Sequence, residues 1–150
     1  MNLKNYLYLL FGILLMAGSA IGQNDTKKEK IEAQKVAYIN TRLAFTTAEA
    51  QVFWPLYNEY QQKRDNIRME QKKMRKDAKE NFETMTDKEI EAIIDADMEF
   101  RQKELDLSKE FHKKMKAAIP MKKAALYYKA VEEFNKILFE QTNKLGPKGK

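Results

Sequence analysis

Residues 23–145 contain no glycine; the five glycines of the chain stand at 12, 18, 22, 146 and 149. Only Pro55 and Pro120 interrupt that stretch. Tight hairpin turns and phosphate-cradling loops rely on glycine to reach positive φ. A Walker loop or a dinucleotide fingerprint needs several glycines, so neither can be written here. The pattern predicts an all-α body.

The first 22 residues have a different character. Lys4 precedes an unbroken apolar run over 6–17, and small residues follow at Gly18, Ala20 and Gly22. This is the order of a secretory signal peptide. The run is shorter than the roughly 20 residues a membrane-spanning helix requires. The expectation is a signal peptide over 1–22, cleaved after Gly22 or Ala20, and an exported mature chain. No cysteine stands near that point to carry a lipid, and the chain has none anywhere. An exported chain without disulfides must be held by packing alone. Without Lys4 the charge is 27 basic against 22 acidic residues. Such a balance inside a cell would point to nucleic acid; export makes nucleic acid an unexpected partner. Length and a hydrophobic content of 43% suit one domain over 23–145, with a disordered basic tail over 146–150.

Four helices are expected. Val36, Ile39 and Leu43 place a short amphipathic helix over 27–44. A second opens at Thr46, where Glu49 completes a capping box, and runs to about Asn81. Its Ala50, Phe53, Trp54, Tyr57 and Tyr60 share one arc, and Pro55 should kink it. A third opens at the second capping box, Thr86 with Glu89, and carries Ile90, Ile93, Ile94, Phe100, Leu105, Phe111 and Met115 to about Ala118. Pro120 suits the first turn of a fourth, striped by Tyr127, Tyr128, Val131, Phe134, Ile137 and Leu138. At an offset of 74 the starts of the second and fourth helices overlay: Phe45 on Ile119, Ala50 on Ala124, Phe53 on Tyr127, Trp54 on Tyr128. Shared helical spacing alone would produce part of that match. The shared start signal argues for a repeat.

Residues 61–81 are poor in apolar side chains and net +4, whereas 87–110 are net −5. A four-residue connection makes the two segments antiparallel neighbours, an arm about 30 Å long at 1.5 Å per residue. Such an arm buries little by itself, so a second copy is expected to cover part of it in an antiparallel dimer. The exposed remainder, with Lys63, Arg64, Ile67, Arg68, Met69, Lys72, Lys73, Met74, Arg75 and Lys76, is the expected client or partner surface. Met adapts its shape, and positive charge draws acidic chains. An ordinary solvated coiled-coil face is the alternative.

The repeated start resembles the L-T-x-x-Q motif of the Spy/CpxP family of periplasmic chaperones and stress sensors. The string 46–60, TTAEAQVFWPLYNEY, is similar to a branch identified as sensors of an extracytoplasmic-function sigma factor. The first motif copy is Phe45, Thr46, Thr47, Ala48, Glu49, and the second is Ile119, Pro120, Met121, Lys122, Lys123. Phe and Ile stand for Leu, Pro120 for Thr, and Glu49 and Lys123 for Gln. The resemblance implies a long bent helical hairpin that pairs into a cradle-like dimer with a basic concave face. It implies periplasmic, ATP-independent binding of unfolded envelope proteins. Its alternative is an envelope-stress or metal sensor that binds a membrane-bound or anti-sigma partner.

No catalytic constellation stands out. Asp97, Arg101 and Glu104 share one arc of the third helix, but an Arg between two carboxylates suits a salt-bridge island better than acid–base chemistry. His112, the single histidine, has Met115 at i+3, too few ligands for a transition-metal site. No cofactor, metal or enzyme activity is expected. A Skp/OmpH-like chaperone is a further alternative, with residues 35–40 (KVAYIN) as its first strand.

Overall fold

The computed structural model describes residues 23–145; the expected signal peptide and basic tail lie outside them. Among the described residues four α-helices follow one another: α1 (Gln23–Leu43), α2 (Thr47–Asn81), α3 (Asp87–Ala118) and α4 (Met121–Leu145). A single 3₁₀ turn, Phe82–Thr84, joins α2 to α3. Among the described residues there is no strand, and residues 35–40 lie inside α1. The strand that a Skp/OmpH-like fold would place there is therefore a helix.

Both capping boxes form. The Thr46 hydroxyl accepts from the Glu49 amide at 3.2 Å, while the Thr46 amide donates to the Glu49 carboxylate at 2.8 Å. Thr86 and Glu89 repeat the exchange at the start of α3. Each box satisfies two amides that would otherwise lack partners at a helix N-terminus. The chain leaves α3 because Ile119 precedes proline and must be extended, at φ −136° and ψ 159°. Pro120 stands one residue before α4, where its carbonyl accepts from the Lys123 and Ala124 amides. That position asks no amide of it. α2 continues without a break through Pro55.

By compactness the chain divides between Tyr38 and Ile39. The described part of the first unit, residues 23–38, is one stretch of helix with an ion pair between Glu32 and Lys35 at 3.8 Å. The second unit begins with the last turn of α1 and contains α2, α3 and α4.

In the second unit the core is an aromatic cluster. Phe53 meets Phe45, Trp54, Tyr57, Phe111 and Tyr127 at centroid distances of 4.7 to 6.4 Å. Ile39, Leu43, Met115, Ala124, Ala130 and Phe134 are buried with it. Such ring pairs contribute about 0.5–1.5 kcal/mol each beyond the area they bury. The rings crowded into residues 45–60 are thus the packing centre for all the helices of this unit.

The repeat acquires a physical meaning here. Residues equivalent at the offset of 74 touch each other: Lys123 Nζ bonds the Glu49 carboxylate at 2.5 Å, and the Phe53 and Tyr127 rings meet at 5.7 Å. Lys123 also donates to the Ala44 carbonyl at 2.9 Å and lies over the Phe45 ring. The starts of α2 and α4 therefore touch through these two pairs. Lys123 and Glu49 are complementary in charge. Arg42 in the last turn of α1 binds Glu133 at 2.9 Å.

Candidate functional site: the α2–α3 arm and its groove

Beyond the aromatic cluster, α2 and α3 run on as an antiparallel pair. Its register is fixed by side-chain bonds. Tyr60 meets Ser108 at 3.2 Å, and Arg68 binds Glu104 at 2.5 Å. Gln71 and Arg75 both bind Asp97 at 2.8 Å, and Arg101 joins Asp97 from its own helix at 3.0 Å. Asp97, Arg101 and Glu104 are indeed a salt-bridge island, and its partners are Arg68, Gln71 and Arg75 of the same chain. The Arg75 guanidinium holds the Asp97 carboxyl below the usual carboxylate range, with Gln71 and Arg101 acting in the same direction.

The ten residues expected to form one basic surface do not share a face. Arg64, Ile67 and Met74 are half-buried on the side toward α3. The Arg64 guanidinium lies 5.5 Å from the Tyr60 ring centre, and its Nε is buried without a hydrogen-bond partner. Arg68 and Arg75 reach sideways to the acids of α3. Lys63 and Lys76 pair with Glu59 and Glu80 on their own helix, at 2.6 and 3.7 Å. At 3.6 residues per turn, Met69, Lys72 and Lys76 point away from α3. Lys72 and Lys73 are exposed and form no ion pair among the described residues. Charge that is concentrated in the sequence is thus partly neutralised, and what remains is divided between two sides of the arm.

The structure brings together a different set. Near the tip, Met74, Ala78, Met85, Ala92 and Ile93 line an open groove of about 670 Å³, rimmed by Glu70, Lys73, Asp77, Asn81 and Glu89. Ala78 is half-buried on α2 and Ala92 is exposed on α3, and each offers only a methyl group to the groove. The groove is wide open to solvent, and apolar side chains make up most of its surface, with polar and charged groups at its edge. On the other side of α3, Ile94, Met98 and Leu105 are exposed by 54, 57 and 49%. These fall at spacings of four and seven, a second apolar stripe beside the one that packs on α2.

His112 Nδ1 lies 2.9 Å from the Tyr128 hydroxyl, tying α3 to α4. Among the described residues no group of three or more His, Cys, Asp or Glu side chains is placed to hold a metal ion. No described helix is long and apolar enough to cross a membrane. Comparison with family models, with curated proteins and with solved structures finds no match to this chain.

Proposed function

We propose that this chain is an exported, ATP-independent holdase that shields unfolded envelope proteins on its α2–α3 arm. The observation that carries the reading is the open, methionine-floored groove at the arm tip. Flexible thioether side chains adapt to segments of different shape, which suits a protein with many clients. Exposed Met69, Ile94, Met98 and Leu105 add apolar contact along the arm, and Lys72 and Lys73 supply long-range attraction for acidic clients. The signal-like first 22 residues support an address in the cell envelope. The motif resemblance points the same way. The proposal includes antiparallel pairing of two arms, which would cover the Ile94, Met98 and Leu105 stripe.

The test dilutes a chemically denatured client into buffer with and without the protein and follows aggregation by light scattering at low and high salt. Suppression near one dimer per client, weakening as salt rises, is expected. No suppression at several-fold molar excess would overturn the holdase and leave a sensor of one membrane partner as the better reading. Sedimentation across a tenfold concentration range reports on the pairing.

A further inference from the structure

The groove at the arm tip differs in charge from the arm that carries it. Its rim has three carboxylates, Glu70, Asp77 and Glu89, against one ammonium, Lys73. Glu70 and Asp77 form no ion pair among the described residues, and both are exposed. Glu89 is held by the Thr86 amide and hydroxyl, which keep its carboxyl below the usual range, so it stays charged. The floor is apolar throughout: Met74, Ala78, Met85, Ala92 and Ile93.

We infer that the tip groove takes an extended peptide segment with two or three apolar side chains flanked by Lys or Arg, in preference to one flanked by Asp or Glu. The inference rests on the holdase reading and specifies its client chemistry. A volume near 670 Å³ accommodates a few side chains rather than a folded surface. Once apolar side chains occupy the floor, flanking residues lie at the rim, where net negative charge favours cations and opposes acids. At the tip, selection therefore opposes the attraction exerted by the positive charge of α2 as a whole. The sequence count over 61–81 conceals this, because it sums both sides of one helix.

Two fluorescent decapeptides test it, alike in a central Leu-Phe-Leu and differing in Lys or Glu flanks, titrated by anisotropy against the full chain. The Lys-flanked peptide is expected to bind about tenfold more tightly, ~1.4 kcal/mol at the usual conversion, with the gap narrowing in high salt. Glu70→Lys with Asp77→Lys changes only exposed side chains and should reverse the preference. Ala78→Trp, which fills the groove, should abolish binding of both peptides, with circular dichroism confirming an intact helical fold. Equal affinity of the two peptides, preference for the Glu-flanked one, or a preference unmoved by the double reversal would overturn the inference. Aggregation suppression by the same variants separates the two ideas. Suppression without the peptide preference defeats this inference alone, whereas loss of suppression in the unmodified protein defeats the holdase.

Discussion

Phe53 is fully buried and touches five other rings contributed by α2, α3, α4 and the α1–α2 connection. Phe53→Ala should cost about 3–5 kcal/mol, since a cavity at a junction of helices has no single neighbour that can collapse into it. Urea denaturation checks this, and a loss below 1 kcal/mol would show that the rings repack. Ala44 presents the opposite case. It holds φ at 43°, in the left-handed region, just past the end of α1, where glycine is the usual residue. A side chain there costs roughly 1–2 kcal/mol, and glycine returns part of the gain through unfolded-state entropy. Ala44→Gly should therefore stabilise the protein by about 0.5–1 kcal/mol, seen as a higher Tm; a lower Tm would contradict it. Glu49 adds a dependence on pH. The Lys123 ammonium first, then the Thr46 amide, hold its carboxyl below the ordinary value. A carboxylate lowered in the folded state stabilises fully above its unfolded pKa, about 4.3, and loses that contribution as pH falls through the lower folded value. Glu49→Gln should flatten the fall of Tm as pH drops below the unfolded carboxylate value of about 4.3, and parallel curves for the two proteins would exclude this role.

Helix ends were the most legible elements. Thr46 with Glu49 and Thr86 with Glu89 mark two starts through local bonds, and Pro120 forces the break before the last helix. These signals act within four residues, so no knowledge of the fold is required to find them. Stripe assignment was less complete. α3 carries two apolar stripes, one with Ile90, Ile93, Phe111 and Met115 against its neighbours and one with Ile94, Met98 and Leu105 in the open. Both obey helical spacing, and only the docking of α2 decides which is buried. The capping boxes themselves differ in what depends on them. Thr86→Ala should cost about 1 kcal/mol, as caps usually do. Thr46→Ala should cost more, because the same Glu49 carboxylate that closes its box also binds Lys123 at the start of α4. Chemical denaturation of the two single variants compares them. An equal or larger loss for Thr86→Ala would mean that the link to Lys123 does not depend on the cap.

No residue between 58 and 110 is buried, whereas Phe53, Tyr57, Phe111, Met115, Tyr127 and Phe134 are. Packing in the second unit is thus concentrated where α2, α3 and α4 meet, and the arm is held by half-buried side chains and exposed ion pairs. Composition over 61–81 indicated this thinness, since few apolar residues can bury little area. It could not indicate the groove, whose lining comes from both α2 and α3 and so depends on the register between them. Nor could it divide the positive charge between faces, because Arg68 and Arg75 are neutralised by acids more than 20 residues away. Uneven packing has a consequence for dynamics. Regions with few buried apolar contacts open at lower free energy than the core, and exposed ion pairs contribute only about 0.2–1 kcal/mol each to closing them. Hydrogen exchange should therefore show two classes of amide in α2 and α3. Those of residues 53–57 and 111–115 should exchange only with global unfolding, with the same sensitivity to denaturant as Tyr127 and Phe134. Those of 67–81 and 87–101 should exchange at least a hundredfold faster, through separation of the arm while the aromatic cluster stays intact. Removing the Asp97 charge with Asp97→Asn weakens its bonds to Arg75 and Arg101, and should accelerate the arm class without touching the other. Uniform exchange along both helices, or acceleration of both classes together, would show that arm and cluster unfold as one cooperative unit.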